Sequence, residues 1–69
     1  MIIQPEKGKR NVNDKFYSAE KKKIALLNRE FFRNVGLTKA ENDVLVWLCG
    51  LDEWMINGIL SAFRKMKRE

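Results

Sequence analysis

The sequence predicts an all-α, three-helix domain. Three observations carry this. Ile24, Leu27, Phe31 and Val35 recur at spacings of three and four, which puts them on one face of a helix. Thr38-Lys39-Ala40-Glu41 is a capping box, in which the Thr and Glu side chains each satisfy an orphan N–H at a helix start. Two very short connections, Gly36-Leu37 and Gly50-Leu51, punctuate the chain and force neighbouring helices to pack closely.

Residues 1–17 contain Pro5, Gly8 and several Asn or Asp, without a helical period. They are expected to form an extended or disordered basic arm ahead of a folded unit at 18–69, with Phe16 and Tyr17 pinning its end. Such an arm can follow phosphates or enter a minor groove; a solvated tail is the plainer reading.

Helix one is expected over 18–34. Ser18 suits the N-cap because its hydroxyl can accept from a backbone N–H. Leu26 and Phe32 widen the apolar face, and Lys21, Lys22, Lys23, Arg29 and Arg33 fill the remainder. Gly36 suits a left-handed helix stop. Helix two is expected from Lys39 to Cys49, with Asp43 near its positive end. Its run Val44-Leu-Val-Trp-Leu-Cys49 is apolar on all sides. The capping box and Gly50 favour a helix over a strand, which would have no partner strand. A helix apolar all round needs cover on several sides, a first sign of self-association.

Helix three is expected to start at Asp52 as N-cap and to run to about Lys67. At about 100° per residue, Ile56, Ile59, Leu60, Phe63 and Met66 form one apolar stripe, with Met55 at its edge. Leu51, Trp54, Gly58 and Ala62 form a second. One helix with two stripes can face its own core and a partner chain together. The expected product is an intertwined helical homodimer, with Val46, Trp47, Trp54, Ile56, Ile59, Leu60 and Phe63 at the dimer or multimer interface.

The 69 residues make one small domain, in which little surface can be buried to offset chain entropy. A single cysteine and no histidine leave no internal disulfide and no expectation of a metal site or any cofactor. No apolar run approaches the roughly 20 residues that span a bilayer, so the chain is expected to be soluble and cytoplasmic. An enzyme is not expected either. The commonest general base is absent, Cys49 lies in an apolar run without a neighbouring base, and the carboxylates of helices two and three cap helix ends.

The net charge is +5, and it is segregated. Residues 18–36 carry five Lys or Arg against two Glu, 38–57 carry one Lys against four acids, and 58–69 carry four Lys or Arg against one Glu. Basic small domains bind nucleic acid or anionic membranes more often than average ones do. The candidate contacts are Lys21, Lys22, Lys23, Arg29 and Arg33 of helix one, with Asn57, Arg64, Lys65, Lys67 and Arg68 of helix three.

Trp54-x-x-Asn57, three helices and a basic arm resemble the homeodomain, whose tryptophan packs in the core and whose asparagine contacts adenine. The other base-reading positions of that family fall on Glu53, Ile56 and Leu60, none of which can donate to a guanine edge or a phosphate. Leu37-Thr-x-x-Glu-x-x-Val-Leu-x-x-Leu-x-Gly50 also echoes the response-regulator DNA-binding domain. The recognition helix that should follow it is missing, and that match is set aside.

A wider resemblance covers nearly the whole chain. Asn11-Val-Asn-Asp-Lys-Phe-Tyr17, Val35-Gly-Leu-Thr38, Glu41-Asn-Asp-Val-Leu-Val-Trp-Leu48 and Leu51-Asp-Glu-Trp-Met-x-Asn-Gly-Ile-Leu-x-Ala-Phe-Arg-Lys65 resemble the C-terminal domain of the early, membrane-associated DNA-replication organiser of protein-primed phi-29-like Bacillus phages. The resemblance implies a helical homodimer that multimerises on DNA and binds single and double strands without sequence preference. It implies the phage terminal protein as a further partner. It also implies attachment to the host membrane through an N-terminal segment that this chain lacks. The rival expectation is a protein-interaction domain whose charge only keeps it soluble; a sequence-specific, homeodomain-like reader comes behind it.

Overall fold

The computed structural model describes residues 1–67. Helix α1 spans Asp14–Leu27 and passes directly into a π-helical turn, Asn28–Phe32. Helix α2 spans Lys39–Leu48 and α3 spans Glu53–Lys67. A 3₁₀ turn, Lys7–Lys9, precedes them, and there is no strand among the described residues. The protein is an all-α three-helix domain.

Helix α1 begins four residues before its expected start. The Asn13 side chain accepts from the Phe16 N–H at 2.7 Å, so Asn13 is the N-cap and Ser18 lies inside the helix. Both residue types cap well, and Asp14 adds a carboxylate in the first turn, where the helix dipole favours it. At its other end, Ile24 and Leu27 enter the core as their spacing predicts. The π-helical turn then shifts the phase of the chain, because its bonds span five residues rather than four. Phe31 is half-buried and Val35, expected on the same face, is exposed. Gly36 does not adopt a left-handed conformation; no residue among those described has positive φ.

Helix α2 starts at its capping box. The Glu41 N–H donates to Thr38 Oγ1 at 3.1 Å and the Thr38 N–H donates to Glu41 Oε1 at 2.8 Å. The Glu41 carboxyl is held below its ordinary value chiefly by that backbone N–H. The Asp52 carbonyl accepts from the Met55 and Ile56 N–H groups and opens α3. Between α2 and α3, Gly50 meets a close approach. A Cβ there would lie 3.0 Å from Phe16 Cζ, so Phe16 closes tightly over the connection and any larger residue would push its ring aside.

The core is shared by all three helices and by the N-terminus. It comprises Ile24 and Leu27 of α1, Val46 and the adjoining Cys49, Ile56 and Leu60 of α3, and Ile2. Ile2 corrects the expectation of a free arm, since it is 2 % exposed. Two asparagine side chains hold the segment. The Ile2 N–H donates to Asn28 Oδ1 at 2.7 Å and its carbonyl accepts from Asn28 Nδ2 at 3.0 Å. Ile3 repeats the pattern with Asn42, at 2.8 and 3.0 Å. Each carboxamide presents one donor and one acceptor to one residue's backbone, as a neighbouring strand would. The Met1 amino group donates to the Val35 carbonyl, and Tyr17 Oη donates to the Pro5 carbonyl at 3.2 Å.

Candidate nucleic-acid interface

The basic side chains divide into those the fold uses and those it leaves in water. Lys21, Lys22, Arg29 and Arg33 on α1 and the turn after it are exposed, as is Lys65 on α3. Four ion pairs occur among the described residues: Lys7–Asp14, Arg10–Glu20, Lys39–Asp43 and Arg64–Glu30. None involves those five cations. Long cationic side chains with their heads in water can reach a phosphate without first leaving a partner.

Three of the expected contacts are engaged within the chain. Lys23 donates from Nζ to the Leu51 carbonyl at 3.0 Å and so ties α1 to the start of α3. Arg64 makes a two-point bridge to Glu30, with Nε to Oε1 at 3.0 Å and Nη2 to Oε2 at 2.8 Å. Lys67 donates to the Glu30 carbonyl at 2.7 Å and lies 5.4 Å from the centroid of the Phe31 ring. The Arg64 guanidinium holds the Glu30 carboxyl below its ordinary value, aided by the charges of Arg29 and Lys67. Sequence spacing had no means of revealing this bridge, because 34 residues separate its partners. Asn57 is exposed on α3. Arg68, also named as a contact, lies outside the described residues.

The apolar surface needs a correction of its own. Val46, Ile56 and Leu60, assigned from the sequence to the interface between chains, are core residues of the single chain, at 6, 3 and 3 % exposure. The phase of α3 turns its Ile56–Leu60 stripe inward. Ile59 and Phe63 are half-buried, and Phe63 meets Phe31 edge-on at 5.5 Å between centroids. Trp47 and Trp54 do stand at the surface, at 66 and 70 % exposure. In that respect Trp54 departs from the homeodomain pattern, whose tryptophan is a core residue. The second stripe is therefore the outward one. Leu51, Trp54, Met55, Gly58, Ile59 and Ala62 line a shallow apolar depression of about 450 Å³. Another of about 440 Å³ lies between the π-helical turn and α2, lined by Phe32, Leu37, Ala40, Glu41, Val44 and Leu45.

Cys49 is fully buried, and burial pushes its thiol up to about 11. A thiol so protonated is a poor nucleophile at neutral pH. No helix among the described residues is long and apolar enough to cross a membrane. No protein-family model matches this chain, and neither a curated protein nor a solved structure matches it.

Proposed function

We propose that this domain binds single- and double-stranded DNA through phosphates, without reading sequence, and that it works as a homodimer that multimerises along the strand. The observation that carries the reading is the set of exposed cations Lys21, Lys22, Arg29, Arg33 and Lys65, none in an ion pair among the described residues. Affinity arises from counterion release, which needs positive side chains in water but no base-reading groups. The inward phase of Ile56 and Leu60 further removes two of the positions a homeodomain would use on bases.

Self-association draws support from the exposed Trp47 and Trp54 and from the apolar depression beside Trp54. Large aromatic side chains are favoured at protein interfaces because they bury much area at low entropy cost. Joining weak DNA-binding units multiplies their affinity through avidity. The resemblance to the phage replication organiser extends the reading to a role: gathering phage DNA, with its terminal protein, for replication at the host membrane. The rival is a protein-assembly domain without direct DNA contact, which the same exposed tryptophans would serve.

A titration of scrambled duplex and single strands at two salt concentrations tests the proposal. Six phosphate contacts lose on the order of a thousandfold in affinity between about 50 and 200 mM salt. Binding of both forms with that steep dependence is the expected result. No binding at low salt leaves the assembly domain, and a strong preference for one duplex restores a sequence reader.

A further inference from the structure

The Arg64–Glu30 bridge is open to exchange. The Arg64 side chain keeps 49 % of its surface in water and Glu30 25 %. Water reaches both partners, so a second anion can compete for the guanidinium. The two-point geometry, with Nε and Nη2 each on one carboxylate oxygen, is also how a guanidinium grips a phosphate. The surroundings are over-supplied with positive charge: Arg29 and Lys67 both act on the single Glu30 carboxylate alongside Arg64. Lys67 acts on that carboxylate only through space, since its hydrogen bond is to the Glu30 backbone carbonyl and it forms no ion pair with the carboxylate. Lys67 also lies one helical turn beyond Arg64, so both heads emerge on the same side of α3.

We propose that Arg64, with Lys67 beside it, is a phosphate site whose occupant in the free protein is the Glu30 carboxylate, and that a DNA phosphate enters by displacing it. The inference rests on the DNA-binding reading and adds a regulator to it. Glu30 is an internal competitor that keeps the far end of α3 neutralised until a strand arrives. The exchange swaps one anion for another on Arg64, so the site weakens binding and flattens its salt dependence relative to an open arginine. The displaced carboxylate stays near Arg29 and Lys67, which limits the cost of the swap.

A double-mutant cycle in DNA binding tests this, using Glu30→Gln, Arg64→Gln and the double variant on a scrambled duplex, with circular dichroism to verify helical content. Glu30→Gln should bind about fivefold tighter, the size of one exposed charge coupling. Its log–log salt slope should steepen by about 0.9, the share of one phosphate contact. In the Arg64→Gln background the same change should do neither. In the unaltered protein, the Arg64 Nε–Hε resonance should move on titration with duplex. An equal gain in both backgrounds is a general effect of net charge and overturns the proposal. Binding by the unaltered protein with no gain in Glu30→Gln, or with a still Arg64 resonance, overturns it too. If the unaltered protein binds no DNA at low salt, the functional reading itself has failed.

Discussion

Arg10 closes a two-point bridge onto Glu20, with Nη1 to Oε1 at 2.7 Å and Nη2 to Oε2 at 2.9 Å. The Glu20 side chain is 1 % exposed, and Gln4 Nε2 donates to it as well, at 3.0 Å. The bridge thus secures the segment before α1 to the middle of α1. Arg10→Ala would leave a buried carboxylate without its cation. The expected loss is about 2–3 kcal/mol, near the low end for buried pairs because Arg10 stays partly in water. Urea unfolding of the variant measures it.

The same carboxylate sets an acid limit. The Arg10 guanidinium lowers the Glu20 carboxyl, against the opposing effect of burial. Arg64 lowers Glu30, and Thr38 lowers Glu41. A carboxyl with a depressed folded value binds fewer protons folded than unfolded. Its contribution is fully present above the ordinary value near 4.5 and is lost as pH falls through the folded values. The melting temperature should therefore be level from about pH 7 to about pH 5 and drop below that. In Glu20→Gln the drop should be shallower.

Cys49 gives the opposite limit. Its folded value of about 11 stands above the ordinary 9.0. The unfolded chain gives up that proton first, so stability declines as pH rises from about 9 toward 11. At pH 8 the native thiol should resist a disulfide reagent, and it should react stoichiometrically once guanidinium unfolds the chain. Rapid reaction of the native protein would contradict its burial.

The asparagine clasps should be visible in hydrogen exchange. The Ile2 and Ile3 amides donate to Asn28 and Asn42 and should be protected, unlike those of an open arm. Asn28→Ala should expose the Ile2 amide and cost about 1–2 kcal/mol, for two hydrogen bonds removed from a partly buried site. The amides of α2 should keep their protection order.

The surface and core residues of α3 should part ways under one kind of substitution. Leu60→Asp buries a charge among Ile24, Leu27 and Ile56 and should unfold the chain. Trp54→Glu changes an exposed position and should preserve the helical signal while lowering the mass in sedimentation. A folded Trp54→Glu protein of unchanged mass would remove Trp54 from the interface.

Helix number, the Thr38 cap and the start of α3 at Asp52 were legible because local chemistry decides them. The start of α1 was not, since Asn13 and Ser18 are both good cap types, and the first turn after Asn13 makes contacts that spacing does not reveal, Phe16 over Gly50 and Tyr17 Oη on the Pro5 carbonyl. The docking of Ile2 and Ile3 was hidden for a different reason: their respective partners Asn28 and Asn42 are 26 and 39 residues away, and asparagine is an ordinary residue in a polar stretch. At the candidate interface, the cationic side chains were legible by type. Which of them the fold had already engaged was not. The two apolar stripes of α3 were also legible, but their orientation depends on tertiary contacts, and the sequence assigned the inward stripe to a partner chain.

The π-helical turn has a consequence for how this domain tolerates changes in length. Three of its five residues are committed in different directions: Asn28 to the N-terminal segment, Glu30 to Arg64, and Phe31 to Phe63. A π-helical turn holds one residue more than the α-helical path over the same rise. Deleting the exposed Arg29 would invite the segment to relax into a plain α-helix. Everything beyond would then stay in phase, because four α-helical residues cover nearly the rise and rotation of the five in the turn, and Glu30 and Phe31 would keep their targets. The segment 28–32 should therefore absorb the loss of that one residue, and the exposed 33–36 connection should absorb an added one.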